Sequence, residues 1–225
     1  MSPADLSAIL LTLKLAGATS VILVLIGTPL AWWLSHTSSR MRWIIEPLVA
    51  LPLVLPPTVL GFYLLILLGP AGAIGSIWVE VTGETLAFSF SGLLIASVIY
   101  SLPFAVQPLQ TAFQSVGSKY MEAAATLGAS PPDAFMTVAS PIAIRGYVTA
   151  AVLTFAHTIG EFGVVLMVGG NIPDKTRMIS IAIFEHVETL SYPEAHRLSI
   201  GLLIFSFLVL MAVTILHRHT PVRVG

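Results

Sequence analysis

Residues 6–35 read LSAILLTLKLAGATSVILVLIGTPLAWWLS, an apolar run interrupted by a single charge, Lys14. A helix needs ~20 apolar residues to cross the hydrocarbon core of a bilayer, so the run is long enough for a membrane span. It is too long for a secretory leader, and no small-residue cleavage site precedes Trp32 and Trp33, so it is expected to be retained. Similar stretches recur at about 47–68, 90–113, 142–168 and 198–216. With no water in the bilayer core to satisfy backbone N–H and C=O groups, only helices or a closed barrel can cross it. Continuous apolar runs without the alternation of barrel strands favour helices. The expected fold is therefore all-α: one polytopic membrane domain over 1–225 with five transmembrane helices.

Composition supports this reading. Only 9% of the 225 residues are charged, against roughly 25% in soluble domains. A net charge of −1 without a basic block offers no counterion release, so no nucleic-acid partner is expected. The chain has no cysteine, which excludes disulfides, thiolate catalysis and cysteine-held metals. No Gly-rich loop ending in Gly-Lys-Ser/Thr is present to cradle nucleotide phosphates, so energy must come from a partner. The His157-to-Glu161 stretch lacks His-Glu-x-x-His spacing, and neither His186 nor His196 has a ligand partner at useful spacing; no enzyme, metal or cofactor is expected. An ion-coupled carrier would show inverted repeats and more intramembrane ionisable groups, and neither is visible.

Five crossings place Arg40, Arg42, Lys119, Arg145, Arg218 and Arg223 on one side, against Lys14, Lys175, Arg177 and Arg197 on the other. By the positive-inside rule the first side is the cytoplasm, which puts the amino terminus outside and the carboxyl terminus inside.

The loop 114–141 then lies inside. Its segment 118–133, SKYMEAAATLGASPPD, reads as two short helices. Ser118 is expected to cap the first, and Gly128 to end it in the left-handed conformation. Ser130 is expected to cap the second, with Pro131 at its first position and Asp133 close to capping-box spacing. An alanine face allows close approach of another protein, with Met121 and Leu127 as apolar anchors and Glu122 as a charge for register. The plain alternative is a solvated connector.

Glu122, Ala123 and Ala124, Gly128 after three more residues, and Val138 and Pro141 after nine resemble the loop signature of ATP-binding-cassette (ABC) importer permeases. Val138 replaces the usual isoleucine and Ser140 the usual leucine. The resemblance covers nearly the whole chain and is similar to molybdate permeases in particular. It is carried by LPLVLPPTVLG at 51–61, the short loop 69–75, GEFG at 160–163 and NIPDKTR at 171–177. Tungstate and sulfate permeases have related segments. The resemblance implies a type I ABC importer permease fold in the bacterial cytoplasmic membrane, surrounded by lipid. It further implies a coupling helix that docks on an ATPase subunit through Glu122, Ala123, Ala124 and Gly128, beside the apolar anchors Met121 and Leu127. The implied partners are two ATPase subunits, a second permease copy, and a periplasmic or lipid-anchored molybdate-binding protein.

Within the membrane, Pro52, Pro56 and Pro57 each remove a backbone donor, so a kink is expected there, with Thr58 as a local hydrogen-bond partner. The kink is either a packing bend or a hinge lining the pathway. Glu161 is the only acid deep in a span, a costly placement that marks a functional candidate. His157, four residues earlier on the same helical face, is its expected partner, and Gly160 and Gly163 flank it. Glu161 would act as a structural clamp or as a gate. No lysine or arginine sits at the centre of a span, so an oxyanion would meet hydroxyls, amides and helix ends. Specific recognition is then expected in the external binding protein, docked on loops 70–89 and 170–197. There Glu80, Glu84, Asp174, Lys175, Arg177, Glu185 and Glu188 are candidates for ion pairs.

Overall fold

A computed structural model of the chain describes residues 2–218, and every regular element among them is helical. Arg223, one of the six basic residues on the expected inner side, lies outside the described residues. Helix α1 spans Pro3–His36 and opens with a capping box, in which Ser2 Oγ accepts from the Asp5 amide while the Asp5 carboxylate accepts from the Ser2 amide. Its 34 residues, at ~1.5 Å each, exceed the thickness of the hydrocarbon core. Helix α5, Phe90–Val116, is capped by Ser89 and is the second long apolar rod.

The stretch expected as one span over 47–68 is a broken pair. Helix α2, Arg42–Ala50, runs into a 3₁₀ turn at Leu51–Leu53 and then into α3, Pro57–Leu68, with the axes bent by 110°. Pro52, Pro56 and Pro57 explain the bend, since each lacks an N–H and Pro56 takes an extended conformation just before α3. The kink predicted from the prolines is thus a full change of direction. Outside the expected spans lies a further short helix, α4, at Gly75–Thr82.

The connecting segment forms α6, Ser118–Thr126, and α7, Pro131–Ala134. Ser118 does not cap α6; it is the first helical residue, and Gly117 at φ +70° makes the entry turn that only glycine adopts readily. Gly128 at φ +85° ends α6, with the Ala129 amide donating back to Ala124 O at 3.0 Å. Ser130 Oγ caps α7 by accepting from the Asp133 amide, and Pro131 is its first residue. A π-helical turn, Phe135–Ala139, and a single turn α8, Ser140–Ile142, lead to a 69° bend at Ala143 and into α9, Ile144–Gly160.

The expected span 142–168 is also divided, because α9 stops at Gly160 and α10 covers only Gly163–Gly169. Helix α11, Ile179–Glu188, lies within a stretch read from the sequence as a loop, and α12 runs over Tyr192–Arg218. The described residues therefore hold three helices long and apolar enough to cross a membrane, or up to five spans if each bent pair counts as one.

Helices α1, α5 and α9 form the frame, joined through Leu23, Ala31, Leu34, Val106, Leu109 and Ala150. Small residues let the backbones approach: a Cβ on Gly27 would touch Val106 and Ala105 at 3.6 and 3.7 Å. Helix α12 leaves Leu203 and Phe207 largely uncovered, which suits a lipid-facing surface. Helix α11 is tied to α1 by Thr12, whose hydroxyl donates to Ala8 O and accepts from the Ile179 amide at 2.9 Å.

Candidate functional site

The two broken spans meet, and the polar side chains of the frame converge where they do. Helix α10 lies so close to α3 that a Cβ on Gly163 would sit 2.7 Å from Pro57 Cβ, and one on Gly61 2.8 Å from Met167 Cβ. Beside this contact opens a cleft of about 560 Å³ lined by Pro57, Thr58, Tyr100, His157, Glu161 and Met167, among others. Pro56, the extended residue before α3, sets the direction in which α3 leaves the cleft. Thr58 is exposed at this cleft and makes no side-chain hydrogen bond among the described residues, in contrast to the local partner role expected of it.

Glu161 follows the last residue of α9 in extended conformation, φ −68° and ψ 131°, and is 4% exposed. Its Oε2 accepts from Ser97 Oγ of α5 at 2.9 Å, and its backbone carbonyl accepts from Ser180 Oγ of α11 at 2.6 Å. Its Oε1 has no partner among the described residues. One residue thus joins the end of α9 to two other helices.

The expected His157–Glu161 pair is not formed. The helix stops before Glu161, and with it the register that brings residues four apart onto one face. His157 Nδ1 instead lies 2.9 Å from Ser101 Oγ, and its ring stacks on Phe104 with centroids 3.9 Å apart. Ser101 Oγ is also 3.1 Å from Thr158 Oγ1. Ser97 and Ser101, four apart on α5, therefore receive Glu161 and His157 separately. Sequence reasoning missed both serines; their spacing in an otherwise apolar run was the available signal. Among the described residues, no lysine or arginine lines the cleft. Its lining is mostly apolar, with the Thr58 and Tyr100 hydroxyls and the His157 imidazole as polar groups, while the unpartnered Glu161 Oε1 is buried.

On α6, Glu122, Ala123 and Gly128 are exposed, and Leu127 is 90% exposed. Met121 and Ala124 turn inward, Met121 packing against the core that contains Phe113 and Val116. Met121 therefore anchors the helix to its own frame rather than offering an outward contact.

At the opposite end of the frame, Arg177 is 8% exposed, with Nη2 3.2 Å from Glu185 Oε2, and Asn171 donates to the same oxygen at 2.8 Å. These two charges are held within the chain rather than presented to a partner, whereas Glu80, Glu84, Asp174, Lys175 and Glu188 are exposed. His186 Nε2 lies 2.9 Å from Asp5 Oδ1 and fastens α11 to the start of α1, a pairing with no sequence signal.

Long apolar rods, two broken spans packed beside a cleft, and a short exposed helix pair at one end make this the fold of a polytopic membrane protein. The family described as "Binding-protein-dependent transport system inner membrane component" matches residues 24–224, and the chain belongs to it. Its relatives include the molybdenum transport system permease protein ModB of Azotobacter vinelandii, 58% identical over 94% of each chain. ModB of Escherichia coli K12 is 35% identical over 81% of this chain and 80% of its own. The resemblance to molybdate permeases is thereby borne out. Two solved structures share the fold at 16% identity. A bacterial ABC transporter involved in the import of the acidic polysaccharide alginate superposes with a TM-score of 0.78, covering 98% of this chain and 82% of that one. The MetNI methionine ABC transporter superposes with a TM-score of 0.71, covering 97% and 98%. The chain is an inner-membrane permease with the fold of ABC importer permeases.

Proposed function

We propose that this permease carries molybdate across the bacterial cytoplasmic membrane by alternating access, driven by ATP hydrolysed on partner subunits. The observation that carries this reading is the continuity between an exposed docking segment and the cleft. Helix α6 leads through α7 and the bend at Ala143 into α9, and α9 ends at Glu161 in the cleft. The 58% identity to a molybdenum permease supports the choice of oxyanion. In this reading Glu122, Ala123, Leu127 and Gly128 contact one of two ATPase subunits, with Ala124 and Met121 seating the helix. A second permease copy completes the pathway. A periplasmic or lipid-anchored binding protein delivers the anion to the 70–89 and 170–197 segments, and the amino terminus lies outside. Glu161 clamps α9 to α5 and α11 in the state described, and Pro56, Pro57, Thr58, Gly160 and Gly163 form the adjoining part of the pathway.

The test is uptake of radiolabelled molybdate into proteoliposomes containing the permease, the ATPase subunits and the binding protein, with tungstate and sulfate as competitors. Uptake should require ATP and all three proteins, with molybdate preferred over sulfate. Uptake by the permease without ATPase subunits, or driven by an ion gradient, would overturn the proposal; preference for sulfate would overturn the substrate assignment.

A further inference from the structure

The last three turns of α5 carry Gln107, Gln110, Thr111 and Gln114, the later three at spacings of three, four and seven residues from the first. Such spacing lies along one face of a helix. A carboxamide facing hydrocarbon is costly without a partner, so polar side chains in a membrane helix face the bundle interior or water. Here the four line a pocket of about 300 Å³ with Glu46 and Val49 of α2 among the facing residues.

Within it Glu46 is already paired. Its Oε1 accepts from Gln110 Nε2 at 2.9 Å, and its Oε2 accepts from Arg42 Nε at 3.0 Å. Gln110 is buried, and Thr111 donates to Gln107 O. The exposed side chains of Gln107 and Gln114 make no hydrogen bond among the described residues, so each offers two N–H donors. The one charged group of its lining, Glu46, is thus held in an ion pair with Arg42, and uncharged donors are spaced along one wall.

We propose that this pocket is a water-filled transit subsite for a tetrahedral oxyanion, separate from the cleft at Glu161, with the Gln107 and Gln114 carboxamides donating to the anion's oxygens. Uncharged donors suit the task, because a site on a conduction path must release its ion as well as receive it. The inference rests on the proposed molybdate transport and adds where the anion pauses near the coupling segment.

The absence of cysteine in the chain makes the test direct. The single variants Gln107→Cys, Gln114→Cys and the lipid-facing control Leu208→Cys are assembled with the ATPase subunits in inside-out vesicles. They are treated with a membrane-impermeant methanethiosulfonate, which reacts with thiolate and hence only where water reaches. Positions 107 and 114 should label much faster than 208, and molybdate, but not chloride, should slow them. Labelling as slow as at 208 would overturn the proposal, as would labelling indifferent to molybdate. So would spontaneous disulfide cross-linking between two copies through these positions, which would make the stripe a seam between permeases. A second readout is the double variant Gln107→Leu/Gln114→Leu, in which ATP hydrolysis stimulated by the binding protein should persist. Its molybdate uptake should fall about tenfold, the equivalent of one net hydrogen bond, and undiminished uptake would also overturn the proposal. Uptake by the unmodified complex is measured in parallel: its absence would defeat the molybdate reading itself, whereas uptake without protection defeats only the subsite.

Discussion

Replacing Gly163 by alanine puts a methyl group where two broken helices touch. The new Cβ would lie 2.7 Å from Pro57 Cβ, about 0.7 Å short of the 3.4 Å at which ordinary contact begins. Pro57 cannot turn its Cβ aside, because that atom belongs to a ring fixed to the first turn of α3. The strain must therefore be taken up by moving α10 or α3 as a body, and overpacking of this kind costs ~1–3 kcal/mol. That corresponds to about 5- to 150-fold in the equilibrium between intact and opened contact. Gly61→Ala meets Met167 Cβ at 2.8 Å across the same interface and should cost a similar amount. Because one displacement of α10 relieves both clashes, the double variant should cost less than the two singles combined. Gly160→Ala is the control: a Cβ there has nothing within 4 Å, so its effect should stay within about 0.5 kcal/mol. The assay is reversible denaturation of each variant in lipid nanodiscs, followed by tryptophan fluorescence. If Gly163→Ala is as stable as Gly160→Ala, or if the two clashing variants add in full, the reasoning from close approach is wrong.

Ser97→Ala leaves both oxygens of the buried Glu161 without a partner, which should cost ~1–2 kcal/mol in the same assay; a double-mutant cycle with Glu161→Gln showing no coupling would refute the contact. Thr12→Val orphans the Ile179 amide at the start of α11, and hydrogen exchange at that amide should accelerate about 5- to 150-fold, the equivalent of ~1–3 kcal/mol of lost protection; an unchanged rate would count against the tie between α1 and α11. Ala123→Trp and Leu127→Asp alter the exposed face of α6 without touching the core, so ATPase subunits should co-purify poorly while the permease stays as stable as wild type. Met121→Asp should do the reverse and destabilise the permease itself, because that side chain packs inward.

The rods were legible because continuous apolar runs leave the backbone no alternative but a helix, and α1 and α5 emerge close to where hydropathy puts them. Helix α6 and its exit were legible for a local reason: Gly128 and Ser130 act through their own backbone and immediate neighbours. The breaks were harder. Three prolines announced a disturbance near position 56, but a bend angle of 110° depends on what packs around it. At Glu161 no proline warned that the helix would stop, and the assumption of an unbroken helix produced the wrong partner for His157. The true partners, Ser97 and Ser101, lie more than fifty residues away in sequence, beyond the reach of periodicity. The glutamine face of α5 was fully visible in the sequence, yet its meaning needed Glu46 across the pocket.

The mechanics follow from which contacts are cheap to change. Helices α1, α5 and α9 share a continuous core of leucine, valine, alanine and phenylalanine, and separating them would uncover that whole surface at once. The contact between α3 and α10 is smaller: close approach at Gly61 and Gly163 is combined with a core of Leu64, Leu68, Val164 and Val168. Relative motion there uncovers less apolar surface than separating the frame, which moves as a unit. Helix α9 belongs to the frame, begins at the bend after the α6–α7 segment and ends at Glu161. Its far end is tied by two hydrogen bonds, from Ser97 and Ser180, each worth ~1 kcal/mol. The bond from Ser97 lies within the frame, whereas the bond from Ser180 joins the frame to α11 at little energetic depth and can be exchanged without unpacking the core.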